Sequence, residues 1–564
     1  MFQQDLDPVG GSLALSALCG AIPLLTLFVL LGGLKVRAWL SGLISLAVSL
    51  VVAIALFDMP TGQALLAGTE GAAFGFFPIL WIVINAIWVY NLTVATGHFD
   101  VLRRSFEKVS PDQRIQAIIV AFCFGALLEA LAGFGTPVAI TVVMLMALGF
   151  EPLKAAAVAL IANTAPVAFG ALATPIVTLS TVATGASDSS GLDIDTLGSM
   201  VGRQTPILAL VVPLILVYVV DGRRGLRNTW LAAVVCGVAF AAAQFVASNF
   251  ISVQLADIVA ALVAAASVVV LLRVWTPADV LVAEPVDVSG GREAVGAGTG
   301  ARGASGGAAA DVPPEDSRAD VARAYAPYAV IIAIFSITNI TAVKEFLAEE
   351  PWTYSFAWPG LDVFNTAGEA VTTTTFVFNW LPAAGTLMVI AGLITSAILR
   401  ISPSTMARTY ASTYVELRSA IITVMAVLGL AYVMNLSGQT GSLGAWLAGA
   451  GAAFAILSPI LGWIGVAVTG SDTSANALFG ALQVQTAQQA GLDPTLMAAA
   501  NSSGGVLGKM VSPQNLAIAA AAVGMAGREG DIFRKVLGWS LVLLVLMCAI
   551  VGLQSTPVLD WMVP

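Results

Sequence analysis

Apolar stretches of about 20 residues recur along this chain, which is the length a helix needs to cross roughly 30 Å of bilayer hydrocarbon. Charged residues make up only 10% of the 564 positions. Soluble domains carry about 25% charged residues, so this chain lacks the surface that a soluble protein of its length requires. The sequence therefore predicts an all-α polytopic membrane protein with about 12 spans.

Clusters of Lys and Arg between the apolar stretches predict which loops are cytoplasmic. The loops between these clusters are mostly acidic, and the alternation predicts an outside N-terminus. The clusters are Lys35 and Arg37; Arg103, Arg104, Lys108 and Arg114; Arg223, Arg224 and Arg227; Arg273; Arg400 and Arg408; and Arg528, Arg534 and Lys535.

One segment, residues 276–323, is rich in Gly, Ala and Ser and poor in aromatic residues. Such a segment cannot bury enough apolar surface to offset the chain entropy lost on folding. We expect it to be a disordered cytoplasmic linker. It separates an N-terminal membrane half, residues 1–275, from a C-terminal membrane half, residues 324–564.

The segment LLEALAGFGTPVAI interrupts an apolar run, because its GFGTP motif (133–137) holds two glycines and a helix-breaking proline. Basic residues flank this run on both sides, Arg114 before it and Lys154 after it. A single crossing would place Lys154 outside. We therefore predict that residues 116–149 form a re-entrant hairpin whose two ends are cytoplasmic, since broken backbone at membrane depth must face protein or a water-filled cavity.

The C-terminal half contains a similar construction in residues 446–489, where TGSDTSAN interrupts a second apolar run with uncharged or acidic flanks. This hairpin is predicted to enter from outside. Each hairpin is followed by a predicted broken helix, with ANTAPVAFGALATP in residues 152–184 and ANSSGGVLGKMVSP in residues 494–526. Inverted repeats with paired broken helices are typical of secondary transporters, whose binding site lies near the bilayer midplane.

We expect the four breaks to converge on one binding site. Half-helix N-termini, together with hydroxyl and amide side chains, suit a small carboxylate or hydroxy acid. The residues predicted to line the site are Gly133, Gly135, Thr136, Asn163, Thr164, Ser471, Thr473, Asn476, Asn501, Ser502 and Ser503. Lys509 or Arg203 would meet the carboxylate. The alternatives are a Lys509 that pairs with Asp472 or extends to the membrane surface, and an Arg203 that only marks the start of a span.

Two acidic residues at the hairpin breaks, Glu129 and Asp472, are candidates for proton coupling. A charge at the bilayer centre costs roughly 2.5–3.5 kcal/mol on insertion scales, so such residues face the interior of the bundle and are commonly functional. Glu129 could bind and release a proton, or it could only hold the hairpin turn. Asp472 could carry a proton, bind a cation or cap the helix that follows it.

The sequence contains no motif for catalysis, metal or cofactor binding: P-loop, HExxH, GxSxG and Cys/His clusters are all missing, and His98 is the single histidine. We therefore expect no enzyme activity, no metal and no cofactor. The net charge of −9 argues against a nucleic-acid partner. A sodium-coupled carrier of another organic anion, and a channel or membrane sensor with the linker as a tether, remain alternatives.

Four segments at these positions resemble the signature segments of the L-lactate permease family: LLEALAGFGTPVAI, LIANTAPVAFGALATPI, LGWIGVAVTGSDTSANALFGALQ and AAANSSGGVLGKMVSPQNLAIA. GRQTPILALVVP and DGRRGLRNTW also fit, whereas the linker departs from the family. The resemblance implies a multi-pass transporter of the ion transporter superfamily in the cell (plasma) membrane.

The resemblance further implies import of L-lactate, and of related 2-hydroxy monocarboxylates such as D-lactate and glycolate, by proton symport. A monoanion that moves with one proton carries no net charge, so the membrane potential would not oppose its entry. The expected partners are the carboxylate, protons and the lipid bilayer. The many small residues would pack helices equally well in a monomer or a homodimer.

Overall fold

The structure, a computed structural model, describes residues 1–133, 135–186, 191–282 and 316–564. Within these ranges, 11 helices are long and apolar enough to cross a membrane. One of them, Ile194–Ile251, has 58 residues and non-helical backbone at Asp221 and Gly222, so it is long enough for two crossings. The predicted class, an all-α polytopic membrane protein, is confirmed.

The helices of the N-terminal half begin and end as follows: α1 (Leu13–Phe28), α2 (Ala38–Ala55), α3 (Thr61–Phe74), α4 (Trp81–Ala95), α5 (His98–Glu107), α6 (Gln113–Gln116), α7 (Gly125–Leu131), α8 (Thr136–Ala147), α9 (Pro152–Ala162), α10 (Gly170–Thr184), α11 (Ile194–Val246) and α12 (Ala256–Leu271). Four π-helical segments continue or join these helices: Val29–Gly33, Gly75–Leu80, Ala117–Phe124 and Ala247–Ile251.

The helices of the C-terminal half are α13 (Arg318–Thr338), α14 (Thr341–Ala348), α15 (Ala384–Ile398), α16 (Pro403–Leu436), α17 (Gln439–Leu447), α18 (Phe454–Thr469), α19 (Asp472–Ala490), α20 (Pro494–Gly508), α21 (Pro513–Ala522) and α22 (Glu529–Gln554). Four short strands add two small sheets: β1 (Phe2–Gln3) pairs with β3 (Val363–Phe364), and β2 (Tyr354–Ala357) pairs with β4 (Thr375–Phe378).

Several helix starts follow from a polar N-cap residue and a proline in the first turn. Asp493 and Ser512 precede Pro494 and Pro513, and each cap side chain accepts a hydrogen bond from a backbone N–H of the first turn. The cap satisfies a free N–H group, and proline lacks the N–H that would otherwise have no partner there. These local signals fix where α20 and α21 begin.

Most of the predicted linker, residues 283–315, lies outside the described residues. Residues 276–282 are non-helical. On the other side, α13 begins at Arg318, inside the predicted linker, because the Ser317 hydroxyl accepts a hydrogen bond from the backbone N–H of Asp320 at 3.1 Å and caps the helix. The predicted disorder is therefore corrected for residues 318–323.

The two predicted hairpins appear as pairs of helices joined by tight turns. In the first, α7 and α8 are joined around Gly133 and Gly135, whose φ angles of 45° and 86° lie in the left-handed region. In the second, α18 and α19 are joined at Gly470, with a φ of 77°. Glycine adopts these angles without steric cost, as the sequence suggested. The inverted relation of the two halves remains a prediction.

The helices after the two hairpins break at different places. In the first half, α9 ends at Ala162 and Asn163 is its C-cap. In the second half, α20 continues through Asn501 to Gly508 and gives way to a short 3-10 helix only at Lys509. Pro166 follows Asn163 by three residues and stops the first helix, whereas no proline follows Asn501 until Pro513. The expectation of a break at Asn501 is thus corrected.

Candidate functional site

A cavity of about 1130 Å³ lies where the two hairpins and the two broken helices meet. The first half contributes Glu129, Gly133, Thr136, Val167, Gly170, Ala171 and Pro175 to its lining. The second half contributes Thr469, Gly470, Ser471, Asp472, Thr473, Ser474, Lys509 and Gln514, among others. A single chamber is therefore built from both halves of the chain.

Charged residues line the cavity toward its mouth: Lys35, Arg37, Glu416 and Glu529. Lys35 and Arg37 belong to one of the basic loops that the charge pattern assigns to the cytoplasm. The charge pattern therefore predicts that this mouth faces the cytoplasm.

The central contact of the cavity is an ion pair between Glu129 on α7 and Lys509 after α20. Lys509 Nζ donates to Glu129 Oε1 at 2.5 Å, and Asn163 Nδ2 donates to Glu129 Oε2 at 2.9 Å. The Lys509 side chain is only 8% exposed and the Glu129 side chain only 3%. A buried ion pair is strongly destabilised when one partner is removed, since the other charge is left uncompensated. The pair joins the two halves of the protein.

The backbone of α10 makes room for the Glu129 carboxylate. A Cβ atom on Gly170 would lie 2.9 Å from Glu129 Oε1, so this position requires glycine. The next three residues, Ala171, Leu172 and Ala173, have φ angles of 44°, 56° and 59°. Non-glycine residues rarely adopt this left-handed conformation, because Cβ approaches the following carbonyl oxygen. Backbone strain of this kind is concentrated at functional sites.

Asp472 is the second buried acid of the cavity. Its Oδ2 accepts hydrogen bonds from Ser502 Oγ at 2.6 Å and from Asn476 Nδ2 at 3.4 Å. Its Oδ1 has no hydrogen-bond partner among the described residues. Ser471, not Asp472, is the N-cap of α19, because its side chain accepts from the backbone N–H of Ser474. The alternative that Asp472 caps the helix is therefore corrected.

Behind the cavity, three amide side chains connect α19 to α20 and α10. Asn501 Nδ2 donates to Asn476 Oδ1 at 2.9 Å, and Gln483 Nε2 donates to Asn501 Oδ1 at 3.1 Å. Asn476 Nδ2 also donates to the backbone oxygen of Pro175 at 3.0 Å. These bonds hold the second hairpin against the broken helix of the first half.

The predicted site residues thus fall into two groups. Those that line the cavity are Glu129, Gly133, Thr136, Ser471, Asp472, Thr473 and Lys509. Those that do not line it are Gly135, Asn163, Thr164, Asn476, Asn501, Ser502, Ser503 and Arg203. Asn163 and Ser502 nevertheless contact the two acids of the cavity through the hydrogen bonds described above.

Arg203 does not meet a substrate in this cavity, which corrects one of the two predicted carboxylate ligands. Its guanidinium donates to Asn249 Oδ1 at 3.1 Å and to the backbone oxygen of Met562 at 2.8 Å. These bonds hold Arg203 of α11 against the Ala247–Ile251 segment and the C-terminal segment. Lys509 is then the predicted cation that the structure places in the cavity.

Sequence reasoning missed two residues that hold the tip of the second hairpin. Gln514 lines the cavity, and a Cβ atom on Gly470 would lie 2.7 Å from its Oε1. Asn515 Nδ2 donates to Ser512 Oγ at 2.8 Å and to the backbone oxygen of Gly470 at 3.4 Å. The signal that could have revealed them is the polar SPQN sequence, which begins helix α21 within an otherwise apolar C-terminal half.

A buried chamber with an ion pair contributed by both halves, set in a bundle of membrane-crossing helices, is the architecture of a membrane transporter. Among the described residues, no group of three or more His, Cys, Asp or Glu side chains is placed to hold a metal ion.

Comparison with known proteins identifies the family of this transporter. The sequence profile of the L-lactate permease family matches residues 16–558. The chain is 40% identical to an L-lactate permease of Bacillus subtilis, over 100% of this chain and 99% of the relative. It is 42% identical to the glycolate permease GlcA of Escherichia coli, over 97% of each chain. The chain belongs to the L-lactate permease family and is a multi-pass protein of the cell membrane.

The fold also resembles a solved transporter structure. MtrF of Neisseria gonorrhoeae, whose structure was described as illuminating a class of antimetabolite efflux pumps, aligns with a TM-score of 0.50 at 12% sequence identity. The alignment covers 94% of this chain and 97% of that one. This likeness concerns the fold alone.

Proposed function

We propose that this protein imports L-lactate and related 2-hydroxy monocarboxylates, such as D-lactate and glycolate, by proton symport. Relatives that match the full chain include both L-lactate permeases and a glycolate permease. The two substrates share a carboxylate and an adjacent hydroxyl group. A site that recognises these shared groups would accept both compounds.

The observation that carries the coupling proposal is the Glu129–Lys509 ion pair inside the cavity. A substrate carboxylate needs a cation, and Lys509 is already bound by Glu129. If Glu129 takes up a proton, Lys509 is released for the substrate. The proton and the monoanion then bind together, and each helps the other to bind.

Charge balance explains why one ligand should not move alone. In the empty carrier the Glu129–Lys509 pair holds one negative and one positive charge, and in the loaded carrier this pair consists of a neutral Glu129 and a Lys509 that faces one anion. Both states are neutral. Lactate without a proton, or a proton without lactate, leaves one uncompensated buried charge, which costs several kcal/mol. The carrier would therefore change conformation only when it is empty or carries both ligands.

The hydroxyl side chains along the cavity fit the rest of such a substrate. Thr136, Ser471 and Thr473 line the chamber beside the ion pair. A hydroxyl can donate to the substrate carboxylate and accept from its 2-hydroxyl group. We propose that these residues contribute to selection of 2-hydroxy acids over simple fatty acids of the same length.

The test is uptake of radiolabelled L-lactate into proteoliposomes that contain the purified protein. An imposed pH gradient, acidic outside, should drive accumulation above the external concentration, and a sodium gradient of equal size should not. Accumulation driven by sodium alone would replace proton coupling with sodium coupling. Equilibration without accumulation under either gradient would indicate a channel and overturn the proposal.

A further inference from the structure

Another buried acid, Asp257, does not line the cavity. It is the second residue of α12 and is fully buried. Its Oδ1 accepts a hydrogen bond from Gln244 Nε2 at 2.8 Å, while its Oδ2 has no partner among the described residues. An intramembrane carboxyl group with a free oxygen suggests a role in a proton pathway.

Two sets of polar contacts reach the first helix break, one from Asp257 by way of Gln244 and one from Glu129 by way of Asn163. Gln244 Nε2 also lies 3.5 Å from the backbone oxygen of Ala165, inside the turn between α9 and α10. In the same turn, Asn163 donates to Glu129 and its own Oδ1 has no partner among the residues that the structure describes. Helix α12 packs against α7, which carries Glu129. The unwound turn thus contacts Glu129 through Asn163, and it contacts Gln244, the partner of Asp257, through the Ala165 carbonyl.

Asp257 and the cavity mouth lie on opposite sides of the membrane domain. Helix α12 runs from Asp257 toward Arg273, and the second part of α11 runs from Arg223 up to the loop before Asp257. Arg223 and Arg273 belong to cytoplasmic clusters by the charge rule. Lys35 and Arg37 at the mouth are also on that side. Asp257 is therefore at the end of these helices that faces the outside.

Among the residues that the structure describes, Glu129 is the charged group that interacts electrostatically with Asp257. On α11, Arg203 is bound to Asn249 and to the Met562 carbonyl, and Cys236 lies beside Cys123 of the Ala117–Phe124 segment at 3.5 Å between sulfur atoms. Glu129 is therefore the acid that we consider as the acceptor of a proton from Asp257.

We propose that Asp257 is a relay that delivers protons from the outside to Glu129. The inference rests on the proposed proton symport. In the relay, a proton leaves Asp257 Oδ2, passes along the polar turn by way of water, and arrives at the Glu129 carboxylate. Asp257 then regains a proton from the external medium when the outer side opens. Asp257 acts through Glu129, so it is a positioning and relay residue rather than part of the substrate site.

The test compares Asp257→Asn with the wild-type protein in proteoliposomes. The amide keeps an oxygen that can accept the Gln244 hydrogen bond, but it cannot carry a proton. The initial rate of lactate uptake driven by an acid-outside pH gradient should fall at least tenfold. The final accumulation ratio should approach the wild-type value, because Glu129 still sets the stoichiometry. Exchange of external labelled lactate for internal lactate needs no net proton delivery and should stay within twofold of wild type.

Two further variants distinguish a relay from a structural role. Asp257→Glu retains an acid and should recover a large part of the uptake rate. Asp195→Asn removes an exposed acid at the outer end of α11 and should leave the rate unchanged. A parallel fall of exchange and uptake in Asp257→Asn, or a wild-type uptake rate in that variant, would overturn the relay. Wild-type protein that fails to accumulate lactate under the pH gradient would instead overturn the proposed function.

Discussion

Replacement of Glu129 by Gln tests the coupling mechanism most directly. The amide can still accept a hydrogen bond from Lys509, yet it removes the negative charge 2.5 Å from the ammonium group. Lys509 then stays buried and unpaired whenever the cavity is empty. With lactate bound, the substrate carboxylate supplies the missing charge, so the loaded carrier remains neutral without a proton.

The size of the effect follows from the cost of an unpaired buried charge. Removal of one partner from a buried ion pair costs about 3–5 kcal/mol, and each 1.4 kcal/mol corresponds to about a tenfold change in population. If the empty carrier must bear this cost to change conformation, its return from the inward-open to the outward-open state should slow by about 100- to 4000-fold. Net uptake needs the empty carrier to return, whereas lactate–lactate exchange does not.

The assay measures both reactions on the same proteoliposomes. We expect Glu129→Gln to lose accumulation driven by a pH gradient and to retain exchange of labelled for unlabelled lactate at a rate near that of wild type. Uptake should also lose its dependence on external pH. Unchanged accumulation under the pH gradient would show that another group couples the proton. Loss of exchange together with uptake would indicate that Glu129 is needed for substrate binding or folding instead.

Three other perturbations test the remaining parts of the site. Lys509→Met should abolish saturable lactate binding, measured by tryptophan fluorescence or calorimetry, whereas Lys509→Arg should retain part of it because the positive charge is kept. The double variant Glu129→Gln/Lys509→Met should unfold at a higher temperature than Glu129→Gln alone, because no unpaired charge is left; a lower temperature would refute the ion-pair argument. Gly505→Ala should destabilise the protein by about 1–3 kcal/mol and reduce transport through a clash with Asp472 Oδ1, since its Cβ would lie 2.4 Å away. Gly449→Ala is the matched control, with no atom within 4 Å of the new Cβ; equal losses in both variants would count against the clash.

The turns of the site could be predicted because their signals are local. Gly133 and Gly135 lie in the left-handed region, as expected of a glycine-rich break, and the helix after it starts at Thr136 with Pro137 in its first turn. The cap of the second hairpin was instead expected at Asp472 and lies one residue earlier at Ser471, because Ser and Asp are both preferred N-cap residues and are adjacent here. The type of a residue often predicts that it adopts an unusual backbone angle or lies at a helix end.

The pairing of charged residues across the halves could not be predicted in the same way. Lys509 and Glu129 are 380 residues apart, and the sequence suggested Asp472, not Glu129, as the acidic partner of Lys509. Which acid Lys509 faces depends on the rotation of α20 about its own axis at the point where the helix ends. That rotation depends on the helix continuing through Asn501, which the likeness to the Asn163 segment obscured. Repeated sequences can therefore hide a local difference, here the presence or absence of one proline.

The ion pair also limits how the two halves can move during transport. Glu129 is on α7 of the first hairpin, and Lys509 follows α20 in the second half, so each belongs to a different half of the fold. A conformational change that pulled them apart in the empty carrier would expose both charges to a medium that solvates them poorly. The empty transition should therefore keep Glu129 and Lys509 together and move the surroundings of the pair. The strained residues Ala171–Ala173 follow Gly170, which packs against Glu129, and strain of this kind would be relieved by a change of backbone conformation. We expect this turn, rather than the ion pair, to change between the inward-open and outward-open states.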